Sequence, residues 1–371
     1  MGSSYFSTAM REELRQAFEC NFAEGVENGA AVCVMQRGRE LCHLYAGMAR
    51  PGIAWAESTL VPVFSATKPA AAACLLQAMW ERGFSPMLEL GELWPEFPLP
   101  RATVGQLLSH QCGLAALVEP VAWADAAAWC SAIERTCPAW CPPEHGYHPQ
   151  TFGPLVEVLM RRVCGMSISD FWEQRIRRPL QLDFYIGHVP ESAFERIAYL
   201  QAPRLPRGGM PRDAFYQEYF NPGSSIYRAF HSVTGQESAR EMNTPSAWNT
   251  ANPARGGVAS ARGLAGFYQL LPGEGESPFA LKVRQWLGTP QCRGLDKTLL
   301  QSTAFTCGAM CEPLSLFPQG SYGHAGAGGC HALVHPGSGL SFAYVMNRMQ
   351  LGVLPTQRVL RLLSAVFPEP A

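Results

Sequence analysis

Residues 63–83 read VFSATKPAAAACLLQAMWERG. From Ala70 to Arg82 alanine and leucine dominate, no β-branched residue interrupts them, and Gly83 follows, which predicts a mostly buried helix over 70–82 closed by a glycine. Pro69 fits the first turn, where its missing N–H costs no intrahelical bond. Ser65 then lies at the helix N-terminus, where free N–H groups and the helix dipole favour negative charge on an attacked carbonyl oxygen. Ser65 and Lys68 are one turn apart on the same face, so an unprotonated lysine there can take the serine proton. A Ser-x-x-Lys tetrapeptide also arises by chance in a chain this long, and the surrounding sequence has to carry the rest.

Composition adds to the motif. The chain has 371 residues and 29 Lys+Arg, of which only Lys68, Lys282 and Lys297 are lysines. Arginine keeps its proton in proteins, whereas a desolvated lysine can lose it near neutrality, so position 68 holds the basic residue that can act as a base. Against 30 Asp+Glu the formal net charge is -1, which provides no basic field for nucleic acid. No run of about 18 apolar residues and no charged-then-apolar leader is present, so neither a membrane span nor a secretory signal is expected. Thirteen cysteines without an export signal fit reduced thiols and a cytoplasmic location. The pairs Cys137/Cys141 and Cys307/Cys311 lack the spacing and His partners of a zinc site, so no metal is expected. No P-loop, dinucleotide fingerprint, H-E-x-x-H helix or G-x-S-x-G elbow occurs, so no cofactor is expected.

Outward from the serine, residues 29–47 alternate around an Arg-Gly turn and predict a β-hairpin, and 329–349 predict two strands about the turn PGSG, followed by a helix over 355–367. Strands near both ends with helices between imply one antiparallel sheet closed by the two termini, an α+β sandwich. Residues 103–117, 121–135 and 153–178 are helix-like, while 202–256 is rich in Pro, Gly, Ser and aromatics without a period. The expected division is therefore an α/β sandwich from 1–82 and 257–371, with 83–256 a mainly helical insertion forming a pocket wall. Phe215, Tyr216, Tyr219, Phe220, Tyr227 and Phe230 can supply that wall. Glu12 and Glu13 with Arg11 and Arg15 read as the solvated face of an N-terminal helix.

Four landmarks in order, VFSATKP, QLLSHQCGL at 106–114, GYHPQTFGPLVEVLMRRVCG at 146–165 with RRPLQLDFYIG at 177–187, and GHAGAGGC at 323–330, resemble the serine β-lactamase-like superfamily. The likeness is specifically to the class C β-lactamase branch that includes family VIII carboxylesterases. The resemblance implies Ser65 as nucleophile, Lys68 as proton acceptor and Tyr147 sharing the base role, its phenol drawn towards phenolate by a lysine ammonium. It implies that His324-Ala325-Gly326 lies on an edge strand facing the serine. The N–H groups of Ser65 and Ala327 would form the oxyanion hole, and Gly326, Gly328 and Gly329 would let a substrate carbonyl approach. Ser109-His110 is implied to be structural wall.

Two departures narrow the substrate. Tyr147-His148-Pro149 stands where β-lactamases of this branch show Tyr-x-Asn, and proline offers no side-chain amide for a lactam. Histidine at 324 in place of lysine weakens the grip on a carboxylate. The expectation is a serine hydrolase working through an acyl-enzyme on a small acyl ester or thioester, foremost a carboxylesterase of short or medium acyl esters. An acyltransferase, a penicillin-binding or D-aminopeptidase-type enzyme, and a non-catalytic binding module are alternatives on the same fold. Oligomeric state is left open.

Overall fold

The computed structural model describes residues 6–203, 213–236, 238–273, 275–311 and 318–367. Part of the aperiodic stretch 202–256 and the first five residues lie outside them. A nine-stranded antiparallel sheet runs in the order Ile53–Ala54, Arg39–Arg50, Gly29–Gln36, Leu340–Met346, His331–His335, Tyr322–Ala325, Met310–Cys311, Ser302–Phe305, Cys292–Leu295. Gly29–Gln36 is a central strand, and its first six residues are buried without alternation, because both faces of the sheet are covered. It pairs with Arg39–Arg50 on one side and, Ala30 opposite Met346, with the C-terminal strand on the other. The two ends of the chain thus meet in mid-sheet, as the sequence implied.

The predicted buried helix spans Lys68–Glu81, with Pro69 in its first turn and Gly83 just beyond at φ +76°. Ala70 to Ala73, Cys74, Leu75 and Leu76 are sealed from solvent, so the helix is apolar on every side and sits inside the molecule. Burying Leu75, Leu76 and Met79 contributes roughly 1.5–3 kcal/mol each. It packs against Phe152–Cys164, an amphipathic helix ended by Gly165 at φ +77°.

The helix-like stretches come out shorter than predicted. Residues 103–117 yield only Val104–Leu108, capped reciprocally by Thr103 and Gln106, before the chain turns at His110. Residues 121–135 yield a two-residue strand, Val121–Ala122, and the helix Ala126–Arg135. Residues 153–178 break at Gly165 into separate helices. Within 202–256 the described part holds short helices such as Ala214–Tyr219 and Ser225–His231. A second small sheet, Val61–Pro62 against Gly257–Ala259 against Phe184–Ile186, ties the segment before the serine to the middle of the chain.

Candidate active site

Ser65 does not sit in the α-helix itself but in a 3₁₀ turn, Phe64–Thr67, that leads into it. Phe64 holds φ +48°, a conformation costly for a side chain of that size and characteristic of functional turns. Thr67 stabilises the turn: its hydroxyl donates to the Phe64 carbonyl at 2.6 Å and accepts from the Gly257 N–H at 3.0 Å. The result lifts Ser65, partly exposed, above a helix that is buried from Lys68 to Met79.

Lys68 is fully buried, and its Nζ lies 3.1 Å from Ser65 Oγ, 2.9 Å from the Pro149 carbonyl and 3.0 Å from the Ala254 carbonyl. Burial lowers its pKa well below the ordinary lysine value, and the nearby Arg255 guanidinium lowers it further. A neutral amine has two N–H bonds and one lone pair; with both N–H groups spent on the two carbonyls, the lone pair is left for Ser65.

Tyr147 is fully buried, with its hydroxyl 2.7 Å from Ser65 Oγ and its ring 5.0 Å from Lys68 Nζ. The expectation of a phenol drawn towards phenolate is reversed. Burial raises the Tyr147 pKa, outweighing its hydrogen bond to Ser65, and Lys68 gives up its own charge first. Tyr147 is therefore an O–H donor aimed at the serine.

Three residues hold Tyr147 in place, and one of them, Asp296, carries no signal in the sequence. The carboxylate of Asp296, sealed from solvent, accepts from the backbone N–H groups of Tyr147, Thr298 and Leu299 at 2.8–3.1 Å and from the Thr303 hydroxyl at 3.0 Å. His110, at φ +66°, packs edge-on against the tyrosine ring and takes the His148 N–H on Nδ1 at 3.2 Å. His148 lies between the Gly146 carbonyl on Nδ1, at 2.8 Å, and the Leu114 N–H on Nε2, at 3.0 Å. Burial pushes it down to about 3, so it is a neutral brace. His110 thus has the wall role that the resemblance implied. Asp296 gave no signal because its loop joins two four-residue strands, too short to show a period.

The fourth landmark departs from expectation in position. Tyr322–Ala325 is an interior strand of the sheet, not an edge strand. Its neighbour Met310–Cys311 pairs with Gly323 and Tyr322, so among the described residues the ladder on that side stops before His324 and Ala325. His324 is buried, and burial keeps it neutral; its Nδ1 lies 2.7 Å from the Ala325 carbonyl, and among the described residues its Nε2 has no hydrogen-bond partner. His324 and Gly326 stand behind the cavity, whereas Ala327 and Gly328 line it together with Ser65 and Tyr147.

The glycines serve the protein's own packing. A Cβ on Gly326 would meet the Val63 carbonyl at 2.4 Å, so glycine lets the strand end close on the serine turn. Gly328 at φ +82° and Gly329 at φ +128° form the bend that presents Ala327, and a Cβ on Gly329 would meet the Arg358 guanidinium at 2.3 Å. Ala327 and Ser65 each lie in the opening turn of a 3₁₀ helix, whose first amides have no intrahelical acceptor.

The cavity measures about 350 Å³. Of the six predicted wall aromatics, Phe215, Tyr216, Tyr219 and Phe230 line it; Phe220 is exposed and Tyr227 stacks on His231 at 3.9 Å instead. Arg255, Met349 and Gln350 join the lining without a prior sequence signal.

The fold recurs in known proteins. The chain is 26% identical over 348 residues to the esterase/beta-lactamase LipL of Mycobacterium tuberculosis (strain ATCC 25618 / H37Rv), covering 90% of this chain and 80% of LipL. A penicillin-binding protein homolog from Caulobacter crescentus superposes with TM-score 0.84 at 28% identity, over 99% of this chain and 98% of the other. A family VIII carboxylesterase superposes with TM-score 0.83 at 25% identity, over the same shares. A family model described as Beta-lactamase matches residues 14–366, nearly the whole chain, and with that extent of match the chain belongs to the beta-lactamase family.

Proposed function

We propose that the protein is a serine hydrolase that forms an acyl-enzyme on Ser65 and acts as a carboxylesterase on small acyl esters or thioesters. The observation that carries this reading is Lys68, buried, with both N–H directions held by the Pro149 and Ala254 carbonyls and its third direction on Ser65 Oγ. In the acylation step Ser65 gives its proton to Lys68 Nζ while Oγ bonds to the ester carbonyl carbon. The N–H groups of Ser65 and Ala327 hold the oxyanion. The proton then passes to the leaving alkoxide through the Tyr147 hydroxyl, the carbonyl–oxygen bond breaks, and the alcohol departs. Water repeats the sequence in reverse to free the acid and restore Ser65.

Esters are favoured over β-lactams because Pro149 brings no side-chain amide and its carbonyl is already held by Lys68. The neutral His324 supplies no cation for a substrate carboxylate. The predominantly apolar wall around Ser65 also suits transfer of the acyl group to an alcohol in place of water, with the same intermediate. Thirteen free cysteines support a reducing, cytoplasmic setting, and among the described residues no helix is long and apolar enough to cross a membrane.

The test is nitrophenolate release from acetyl, butyryl and octanoyl nitrophenyl esters by the wild type and Ser65→Ala. Loss of release in the variant, with the acyl group found on Ser65 by mass spectrometry of the quenched wild type, is expected. Equal background rates in both proteins would overturn the esterase reading.

A further inference from the structure

A second cavity, of about 410 Å³, adjoins the reaction cavity between helix Ala214–Tyr219, residues 299–301 and residues 351–356. The two cavities share one wall: Phe215, Tyr216, Leu351, Gly352 and Val353 line both. At Gly352 that wall is bare backbone at φ +124°, and a Cβ there would come to 3.0 Å from the Tyr216 hydroxyl oxygen. The partition closes at this point through a tyrosine side chain laid against a residue with none. Tyr216 is anchored by its backbone N–H, which donates to Asp213 at 3.1 Å, and its ring stacks on the exposed Phe220. The ring also meets Phe215 and Tyr219, and its hydroxyl end lies against Gly352.

Beyond the partition the lining is mainly apolar, with Leu299, Leu300, Leu354 and Pro355 facing the space. Asp213, at its rim, has its carboxylate engaged at the helix start. The reaction cavity, at about 350 Å³, stands near the lower end of the ~300–1,000 Å³ typical of small-molecule sites, so it is filled by a short ester. A longer chain has to continue elsewhere, and the adjoining cavity is where the geometry sends it.

We propose that the outer cavity is a distal subsite for the unbranched aliphatic chain of an ester whose carbonyl sits at Ser65, admitted past Tyr216. This rests on reading Ser65 as an esterase nucleophile. The passage between a tyrosine and bare backbone selects a linear chain over a branched one, and the apolar lining selects hydrocarbon over a polar group. The chain can belong to the acyl or to the alcohol half of the ester.

The experiment measures kcat/KM along two series, nitrophenyl esters from butyryl to dodecanoyl and acetate esters from butyl to dodecyl. In one of the two, kcat/KM is expected to rise about fourfold for each methylene that enters the outer cavity. Leu300→Trp, which fills that cavity, should cut the long-to-short ratio at least tenfold, and Leu354→Trp should do the same from another wall should the first variant fail to fold. A ratio unchanged in the folded variants, or no rise along either series, would overturn the proposal while leaving esterase activity standing. Calorimetric binding of dodecanoate to Ser65→Ala, with and without Leu300→Trp, reads the subsite without turnover. At least tenfold weaker binding with the tryptophan supports the subsite even where no ester is hydrolysed, and equal binding in that case overturns it.

Discussion

At the scale of single residues, the chemistry turns on whether Lys68 carries a proton. Burial removes water that would solvate an ammonium, Arg255 adds positive charge nearby, and both favour the neutral amine. Because the pKa is lowered, the base form persists at pH values well below 10.5, and kcat/KM should fall only when pH drops through that lowered pKa. Arg255→Met removes a neighbouring positive charge, raises the Lys68 pKa and should move this acid limb to higher pH; a limb that stays put or moves to lower pH contradicts the assignment. Arginine at position 68 keeps its proton, so Lys68→Arg should lower kcat by about 10²–10⁴-fold in the nitrophenyl ester assay. Ser65 and Lys68 were legible in the sequence because one helical turn joins them. Tyr147 was legible only through resemblance, since nothing local to Gly146-Tyr147-His148 brings it to Ser65. Asp296 and Arg255 were not legible, because their roles depend on contacts across the fold that no spacing encodes.

At the scale of elements, the bend at 327–329 owes its position to the C-terminal helix Gln357–Val366 as much as to its own glycines. Arg358 on that helix is buried and donates to the carbonyls of Gly328, Arg348 and Val26, while pairing with the buried Glu27 at 3.3 Å. Gly328 also donates to the Gly352 carbonyl and accepts from the Gln350 N–H, so the bend is fixed from two directions. Arg358→Leu removes three hydrogen bonds to backbone carbonyls and the cation beside Glu27, a carboxyl that burial already raises to about 7, and should cost about 3–5 kcal/mol in denaturant unfolding. Adding Glu27→Gln removes the titrating group and should return part of the stability. It should not return kcat, expected to stay about tenfold down with KM little changed, because Gly328 still lacks its guanidinium and the Ala327 amide is loosely aimed. If kcat recovers together with stability, Arg358 is merely structural. The helix itself was visible in the sequence as a periodic stretch, and so were the strands at both ends. The strands from Cys292 to Cys311 were not, because segments of two to four residues carry no measurable alternation.

At the scale of the molecule, the proposed division into a sandwich, 1–82 with 257–371, and an insertion, 83–256, describes the path of the chain more than its energetics. One continuous core contains Ala70 to Leu76 from the serine helix, Phe152, Leu155 and Leu159 from the insertion, and Val32, Leu333 and Phe342 from the sheet. The site is built across the same boundary: Ser65 and Lys68 from one part meet Tyr147, Pro149 and Ala254 from the other. Phe184–Ile186 pairs directly with Gly257–Ala259 over the junction. Neither part can leave without exposing apolar surface of the other, so the two should unfold together. Calorimetry is expected to give one transition whose van't Hoff and calorimetric enthalpies agree, with loss of the proposed ester hydrolysis tracking it. Two resolved transitions, with the sheet surviving after activity is gone, would mean that the insertion folds as its own unit and is only docked on the serine helix. Cooperative unfolding would also explain why so much of the site escapes the sequence: its residues are fixed by a core shared between segments far apart along the chain.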